Sequence, residues 1–270
     1  MSVLIRGGGD LASGVALRLR RAGMPVIVTE LPNPLAVRRA VAFSEAIRAG
    51  TVTIEGQVGT LIAEAGDTAQ IRATLTAGQI AVLIDPEAHT IRRLKPAAVV
   101  DARLLKQVVS RPADPVALLI GLGPGFTPGV NCQAAVETAR GPALGRVYWD
   151  QPASADTGQP DPVMAQTGTR VLRAPATGVL TSRARIGAVV EAGELIAEVA
   201  GRPLHAAFRG ALRGLLPTGM PVTAGLKIGD LDPRAEAGLC FQVSDKALAM
   251  GGAVLEALLT RAEVRAHLWD

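Results

Sequence analysis

The sequence predicts an α/β fold: a mostly parallel sheet with helices on both faces, followed by a small all-β module and a C-terminal helix. Three observations predict it. Short apolar runs alternate with helical segments from Val3 to about Trp149, which is typical of parallel sheets. Residues 172–196 and 204–228 then match without gaps, so this part of the chain is duplicated. Residues 245–259 finally show helical spacing.

These patterns divide the chain into four parts. We expect an α/β domain over residues 1–150, a linker over 151–166, the duplicated β module over 167–234 and a helical segment over 235–270. The linker is rich in Pro, Asp, Ser and Gly. In the last part, Gly251-Gly252 interrupts the helical pattern. Paired glycines weaken a helix, so they predict close packing against another backbone, either of this chain or of a partner subunit.

Composition limits the class of function. The chain has 270 residues, 49% of them hydrophobic and 19% charged, which is typical of a folded protein. The 28 basic residues are scattered and aromatic residues make up only 3%, so the net charge of +4 predicts small anionic ligands rather than nucleic acid. Without a long apolar run or a signal-peptide pattern, we expect a soluble, cytoplasmic protein that does not bind membranes.

A glycine-rich loop, Gly7-Gly-Gly-Asp-Leu-Ala-Ser-Gly14, follows the first predicted strand and precedes a helical pattern. Gly7, Gly9 and Ala12 fit the G-x-G-x-x-G/A pattern of a Rossmann-like dinucleotide site, and Glu30 ends the next strand, where an acid can hold a ribose. This pattern makes NAD(P) one candidate ligand. The predicted cofactor-binding residues here are Gly7, Gly8, Gly9, Asp10 and Glu30.

A second glycine-rich loop runs from Gly121 to Gly129, between the apolar run 116–120 and a helical pattern from Cys132 to Arg140. A strand, a glycine turn and a helix start can hold an anion, because free backbone N–H groups and the helix dipole favour negative charge. The loop lacks the Gly-Lys-Ser/Thr ending of nucleotide-hydrolysing P-loops. A tight structural turn is the alternative. The predicted binding residues here are Gly121, Gly123, Gly125, Phe126 and Thr127.

Charged residues follow the strand predicted at 98–100. Asp101 comes directly after it, and Arg103 and Lys106 are three residues apart on the helix that we predict next, where both can face one ligand. The alternative for Asp101 is a helix cap. We predict that all three residues contribute to cofactor binding.

The two cysteines differ in their predicted roles. At the start of a helix, Cys132 would have a lowered pKa and could serve as a thiolate that handles sulfur or selenium, which makes it the candidate catalytic residue. The alternative is a buried apolar residue, which is also our prediction for Cys240. We predict no metal site, since the cysteines form no close pair and only His89, His205 and His267 could assist them.

The duplicated module resembles the barrel-sandwich-hybrid fold of biotinyl and lipoyl domains. Both copies share a Gly-x-x-Val-x-x-Gly-x-x-Ile-like pattern of glycine turns. Carrier domains present a modified lysine where their halves join, but the junction here is Ala200-Gly201-Arg202-Pro203. The resemblance therefore implies no attached biotin or lipoyl group, and we expect the module to form an interface or a lid.

The whole chain resembles the YqeB family of selenium-dependent molybdenum hydroxylase system proteins. The resemblance is carried by residues 5–14, Val99-Val-Asp-Ala-Arg-Leu-Leu-Lys106, residues 121–131 and Glu137-Thr-Ala-Arg-Gly141. It implies a maturation factor for molybdenum hydroxylases whose N-terminal half is related to the XdhC/CoxI accessory proteins, which handle the molybdopterin cofactor.

Three hypotheses about function follow. The first is a cytoplasmic accessory protein that binds molybdopterin dinucleotide, or a related nucleotide, through the two glycine loops and serves a molybdenum hydroxylase client. The second is an NAD(P)-dependent oxidoreductase, although the sequence lacks the Tyr-x-x-x-Lys pair and the Gly-x-Ser-x-Gly elbow. The third is a non-catalytic scaffold that holds a client or forms a homo-oligomer.

Overall fold

The computed structural model describes residues 2–156, 158, 164 and 168–266, which group into two compact units. Unit 1 comprises residues 1–34, 42–156 and 243–270, and unit 2 comprises residues 35–41 and 157–242. The C-terminal segment thus belongs with the N-terminal unit. Of the predicted linker, residues 157, 159–163, 165 and 166 lie outside the described residues.

Unit 1 is built on one nine-stranded sheet. Its strands are β1 (Val3–Arg6), β2 (Val26–Glu30), β3 (Thr51–Ile54), β4 (Gln57–Ile62), β5 (Ile80–Ile84), β6 (Ala98–Asp101), β7 (Leu119–Leu122), β8 (Ala134–Val136) and β9 (Val147–Tyr148). Its helices are α1 (Asp10–Arg21), α2 (Ala46–Ala49), α3 (Thr68–Thr76), α4 (Thr90–Leu94), α5 (Asp245–Thr260) and α6 (Ala262–Arg265). The strand order is β3-β4-β5-β2-β1-β6-β7-β8-β9. Continuous apolar runs in β1, β2, β5, β6 and β7 are buried, as expected of strands covered on both faces.

The predicted fold class is wrong. The sheet is mixed, because β3 pairs antiparallel with β4 at one edge and β9 pairs antiparallel with β8 at the other. Within the described residues, loops rather than helices join β6 to β7 and β7 to β8. The predicted helix beginning at Cys132 is instead strand β8. Its short buried apolar run has the same hydrophobic pattern in a strand as in a buried helix, so the spacing was ambiguous.

Unit 2 contains two antiparallel sheets. Its strands are β10 (Val171–Arg173), β11 (Gly178–Ser182), β12 (Val189–Val190), β13 (Leu195–Val199), β14 (Arg202–His205), β15 (Gly210–Leu215), β16 (Pro221–Val222) and β17 (Lys227–Asp232). The sheet orders are β10-β17-β15-β12 and β14-β13-β11-β16. Each sheet thus takes two strands from each copy of the duplication, so neither copy can bury its apolar face alone.

The assignment of a carrier-domain fold to this part is also corrected. That resemblance covered only the duplicated strands, whereas unit 2 includes segments on either side of them in sequence. A Cβ added at Gly214 would lie 2.7 Å from the carbonyl oxygen of Val37, and one added at Gly187 would lie 2.8 Å from the Phe241 ring. Residues 35–41 and the 3-10 turn Ala237–Phe241 are therefore integral to the unit.

Helices α1 and α5 of unit 1 pack with their backbones in close approach. A Cβ at Gly14 would overlap the backbone of Ala247, and one at Gly251 would lie 2.6 Å from the Gly14 carbonyl oxygen. The prediction of close backbone packing is confirmed for Gly251, and its neighbour is in the same chain. Gly252, in contrast, is exposed and has no such neighbour within 4 Å. None of the helices in the described residues has the length and apolar character needed to cross a membrane.

Candidate functional site

The loops that follow β1 and β6 meet at the carboxyl edge of the sheet in unit 1. Gly7 ends β1 with a φ of 92°, a left-handed conformation that favours glycine, and its N–H donates to the carbonyl of Thr29 over 2.8 Å. A Cβ at Gly7 would lie 3.3 Å from both the Ala102 carbonyl and the Arg103 Cα. The close approach of these two loops therefore requires glycine at position 7.

Glu30, at the end of β2, holds the first glycine loop in place. Its Oε1 accepts from the N–H of Gly8 over 2.9 Å, and its Oε2 accepts from the N–H of Leu31 over 2.6 Å. On its other side, the Gly8 carbonyl accepts from the N–H of Ser44 over 3.0 Å. A Cβ at Gly8 would lie 2.9 Å from that same Ser44 nitrogen. The fold thus requires glycine at position 8 as well.

Gly9 differs from the two glycines before it. It caps α1 with a φ of −66° and a ψ of −177°, which any residue adopts, and no side chain closes the start of the helix. A Cβ added there would have no neighbour within 4 Å. Asp10 begins α1 directly after it, in the first turn. The space at Gly9 lies beside the amino end of a twelve-residue helix, where backbone N–H groups favour an anion.

A buried cluster of charges lies where β1 and β6 end side by side. Arg103 donates to both carboxylate oxygens of Asp101, with the shortest distance 2.6 Å. Arg6 is only 5% exposed, lies 3.6 Å from the same carboxylate and donates to the Pro86 carbonyl over 3.2 Å. Two guanidinium groups therefore share one adjacent carboxylate. The helix-cap alternative for Asp101 does not apply, since the described residues 102–118 join β6 to β7 as a loop.

The Arg6 side chain is incompletely satisfied. Its Nε is buried and has no hydrogen-bond partner in the described part of the chain. Burial and the positive charge of Arg103 lower the pKa of Arg6. The negative charges of Asp101, Glu87 and Asp85 oppose that shift. Asp85 itself accepts bonds from the first residues of α4, so it acts as a helix cap. Arg6 is not among the site residues predicted from sequence, although a charged residue at the last position of a buried strand is itself a signal.

Lys106 does not join this cluster. The predicted helix that would have placed it on one face with Arg103 is absent, and Leu104 and Lys106 both have left-handed φ values, of 54° and 61°. The side chain of Lys106 instead pairs with Asp156 at 3.1 Å. The prediction that Arg103 and Lys106 share a helix face is therefore wrong.

Three of the four glycines in the second loop, Gly121, Gly123 and Gly125, lie against the protein's own atoms. A Cβ at Gly121 would overlap the ring of Phe126, which is buried in the core, and one at Gly125 would overlap the carbonyl of Gln107. At Gly123, a Cβ would lie 2.7 Å from the Thr138 hydroxyl. These glycines therefore admit neighbouring protein atoms. These contacts agree with the alternative prediction of a tight structural turn. They leave no room for an anion at these three glycines.

Asn131 closes that loop. Its side-chain oxygen accepts from the N–H of Thr127 over 2.7 Å, and its amide donates to the carbonyls of Gly125 and Val109 over 2.7 and 2.8 Å. Asn131 therefore joins two loops. Downstream, hydrogen bonds from the N–H groups of Ala139 and Ser154 lower the pKa of Glu137, against the opposing effect of its burial.

The predicted activation of Cys132 is wrong. The residue is 1% exposed and precedes a strand rather than a helix. Burial raises the pKa of its thiol to about 11, although Arg111 and a hydrogen bond with the Gly121 backbone lower it in part. Cys132 is therefore a protonated core residue, as in our alternative. Cys240 is also buried, as predicted, and burial raises its pKa too.

Metal ligands are not grouped in the part of the chain that the structure describes. No set of three or more His, Cys, Asp or Glu side chains lies close enough there to hold an ion. His89 and His205 are exposed, and His267 lies outside the described residues.

Together these features define a unit with a nine-stranded mixed sheet and, at its carboxyl edge, a glycine loop beside a buried cluster of Arg6, Arg103 and Asp101. Among known proteins, the chain is 45% identical over 257 residues to YqeB of Escherichia coli (strain K12), which is described as uncharacterised. The match covers 95% of this chain and 47% of YqeB, so the chain spans about half the length of that curated relative. This homology supports the resemblance to the YqeB family. No protein-family model matches the chain.

Similarity to solved structures is weak. An aspartoacylase family protein from Mesorhizobium loti has a TM-score of 0.28 and 14% identity, covering 85% of this chain and 84% of that protein. A succinylglutamate desuccinylase/aspartoacylase from Rhodobacter sphaeroides has a TM-score of 0.26 and 13% identity, with the same coverage. At such scores the likeness transfers no activity to this chain.

Proposed function

We propose that unit 1 binds an anionic, nucleotide-like ligand at the carboxyl ends of β1 and β6, and that the protein serves as an accessory factor for molybdenum hydroxylases by holding a molybdopterin-type cofactor there. The observation that carries the binding proposal is the open space at Gly9. The family resemblance supports the accessory role, and the homology to YqeB supports the resemblance.

Gly9 is the one glycine of the first loop whose missing side chain the fold leaves unexplained. Gly7 needs its left-handed φ, and Gly8 needs room for Ser44. Gly9 has neither requirement, and glycine is a weaker helix cap than Ser, Asp or Asn. A ligand that approaches the backbone at the start of α1 accounts for the glycine, because a phosphate there can accept from free N–H groups.

Two guanidinium groups nearby can bind an anion of the same kind. Arg6 and Arg103 share Asp101, and the buried Nε of Arg6 is left without an acceptor. A buried donor without a partner costs on the order of 1–3 kcal/mol, so an anionic oxygen at this position would be stabilising. Phosphates are suitable ligands because guanidinium groups bind them in a planar, bidentate manner.

A molybdopterin dinucleotide fits the residues present. Its phosphates would be held by the start of α1 with Arg6 and Arg103, and a ribose hydroxyl could donate to Glu30, whose carboxylate oxygens have further acceptor capacity. The bound group would supply redox chemistry to the client enzyme. The residues of this chain would hold the cofactor and shield it.

Native mass spectrometry can test the proposal on protein purified from a host that makes molybdopterin dinucleotides. Gly9→Val would place a branched side chain in the open space, and Gly252→Val is the matched control because Gly252 is also free of close neighbours. We expect the wild type and Gly252→Val to carry a pterin dinucleotide and Gly9→Val to lose it.

Other outcomes would count against parts of the proposal. Equal retention of the ligand in both variants would place the site elsewhere. Bound NAD(P) with substrate-dependent hydride transfer would favour the oxidoreductase hypothesis. Protein that carries no ligand and binds no added nucleoside diphosphate would contradict the binding proposal and favour a scaffold.

A further inference from the structure

Unit 1 has a cavity of about 630 Å³ at the edge of its sheet opposite the Gly9 loop. It lies where β6 and β7 begin, whereas the Gly9 site lies where β1 and β6 end. The cavity is formed by α4 and the turn after it, by the segment before β7 and by α6. Its volume is in the range of small-molecule sites.

The wall of this cavity is mainly apolar. Ile91 of α4, the following Pro96 and Ala97, and Val264 of α6 are all buried, and Val116 adds a partly exposed apolar surface. An apolar wall of this kind favours the ring or hydrocarbon body of a ligand over a polyphosphate, because burial of apolar surface stabilises the complex. The cavity is therefore chemically unlike the site at Gly9.

The charged residues among the described lining, Arg92, Lys95 and Asp114, sum to one net positive charge. Arg92 and Asp114 lie 3.8 Å apart and offset each other. Lys95 is exposed and makes no ion pair within the described residues, so its ammonium group is available to an anion.

The conformation of Lys95 is also unusual. It ends α4 with φ 45° and ψ 62°, the left-handed position where glycine is preferred. The fold alone would be served better by glycine. Seven other described non-glycine residues also have a positive φ, Lys106 among them, so it is the position of Lys95 in the cavity lining that points to a use for its charge.

We propose that this cavity binds a small amphiphilic organic anion. An aromatic or short aliphatic body lies against Ile91, Pro96 and Val264, and one carboxylate or sulfonate group pairs with Lys95. The site is independent of the nucleotide-like ligand proposed for the opposite edge.

Fluorescence titration of the full chain tests this proposal with two probes of the same shape. Anilinonaphthalene sulfonate is anionic, and N-phenylnaphthylamine is its uncharged counterpart. Ala117→Phe would fill the cavity from an exposed lining position, and Ala49→Phe is its control at an exposed position outside the lining. We expect Ala117→Phe to abolish the binding of both probes and Ala49→Phe to leave both unchanged.

The charge is tested separately. Lys95→Asn removes the ammonium group at a left-handed position that asparagine tolerates, and Lys106→Asn is the matched control, since Lys106 is exposed and left-handed too. We expect Lys95→Asn to lower the affinity for the anionic probe by about two- to five-fold, the usual range for one exposed ion pair. Its affinity for the neutral probe should stay unchanged.

Two results would overturn the proposal. Equal probe binding by Ala117→Phe and Ala49→Phe, with native circular dichroism in both, would show that the probes bind elsewhere. If the anionic probe binds Lys95→Asn as tightly as the wild type, the claim that the ligand's anionic group pairs with Lys95 is contradicted.

Discussion

The guanidinium group of Arg103 donates to both carboxylate oxygens of Asp101, in a position where Arg6 approaches the same carboxylate from the neighbouring strand. Asp101 is 1% exposed, so this is a buried charge cluster in which one anion is shared by two cations. Its carboxylate is the group on which the geometry of the carboxyl edge depends.

We expect Asp101→Asn to destabilise the protein strongly. Removing one partner of a buried ion pair leaves the other charge uncompensated and costs about 3–5 kcal/mol. Here both Arg6 and Arg103 would be affected. Urea unfolding measures the loss, and Asp114→Asn is the control, because its partner Arg92 is largely exposed and the pair should contribute less than about 1 kcal/mol. Equal effects of the two substitutions would contradict the assigned cluster.

The same variant offers a test of anion binding. Without the Asp101 carboxylate, the positive charge at the site increases, so added phosphate should raise the melting temperature of Asp101→Asn more than that of the wild type. A ligand that binds only the folded state stabilises it according to its concentration. An identical response of both proteins to phosphate would argue against an anion site at Arg6 and Arg103.

Gly8 and Gly9 should differ sharply when each is replaced by alanine. Gly8→Ala places a Cβ 2.9 Å from the Ser44 nitrogen and should cost about 1–3 kcal/mol through overpacking. Gly9→Ala meets no atom within 4 Å and should cost less than about 1 kcal/mol, the small penalty of alanine at a helix cap. Thermal unfolding of both variants measures this. A large cost at Gly9 would mean that the fold, rather than a ligand, requires that glycine.

The first loop was predictable from sequence because its features are local. Gly7 to Gly9 follow a buried strand directly, and Glu30 ends the next strand, so their proximity follows from strand order alone. The second loop depends on contacts with residues distant in sequence: Gly125 makes room for Gln107, and Asn131 reaches Val109. An identical glycine pattern can admit either a ligand or a neighbouring loop. The positions of the loop glycines could therefore be predicted from sequence, but the atoms that lie against them could not.

The errors in fold class have a related cause. Ala134, Ala135 and Val136 are buried in β8, and a short apolar run does not distinguish a strand from a helix. After Asp101, the left-handed residues Leu104 and Lys106 prevent the helix that their side-chain pattern suggested. The packing of residues 35–41 into unit 2 could not be predicted from their own sequence either, because it depends on the distant Gly214.

In unit 2, we expect acid to weaken the fold through Asp232. Burial alone would raise the pKa of this carboxyl, but hydrogen bonds from Arg234, with the charge of Arg213, lower it to about 2 from 3.8. Because the folded value lies below the unfolded one, the stabilisation is present above about pH 4 and is lost as the pH falls towards 2. The shift corresponds to roughly 2 kcal/mol.

Urea unfolding between pH 5 and pH 2 checks the effect of acid. Arg234→Gln keeps a hydrogen-bond donor but removes the charge, so its free energy of unfolding should fall less over this interval than that of the wild type. Arg183→Gln is the control, since Arg183 pairs with Glu198 at the surface of the same unit. The same acid sensitivity in all three proteins would mean that Asp232 does not contribute in this way.

Neither buried cysteine should react in the folded protein. With a thiol pKa of about 11 and 1% exposure, Cys132 is almost wholly protonated and inaccessible at pH 8, and burial raises the pKa of Cys240 as well. Since the thiolate is the nucleophile, an aromatic disulfide reagent should modify no thiol until urea unfolds the chain. Cys132→Ala should remain folded and, if the proposed accessory role holds, should still support maturation of a molybdenum hydroxylase. Rapid modification of native Cys132, or loss of maturation in a folded Cys132→Ala, would restore the sulfur or selenium relay that its burial argues against.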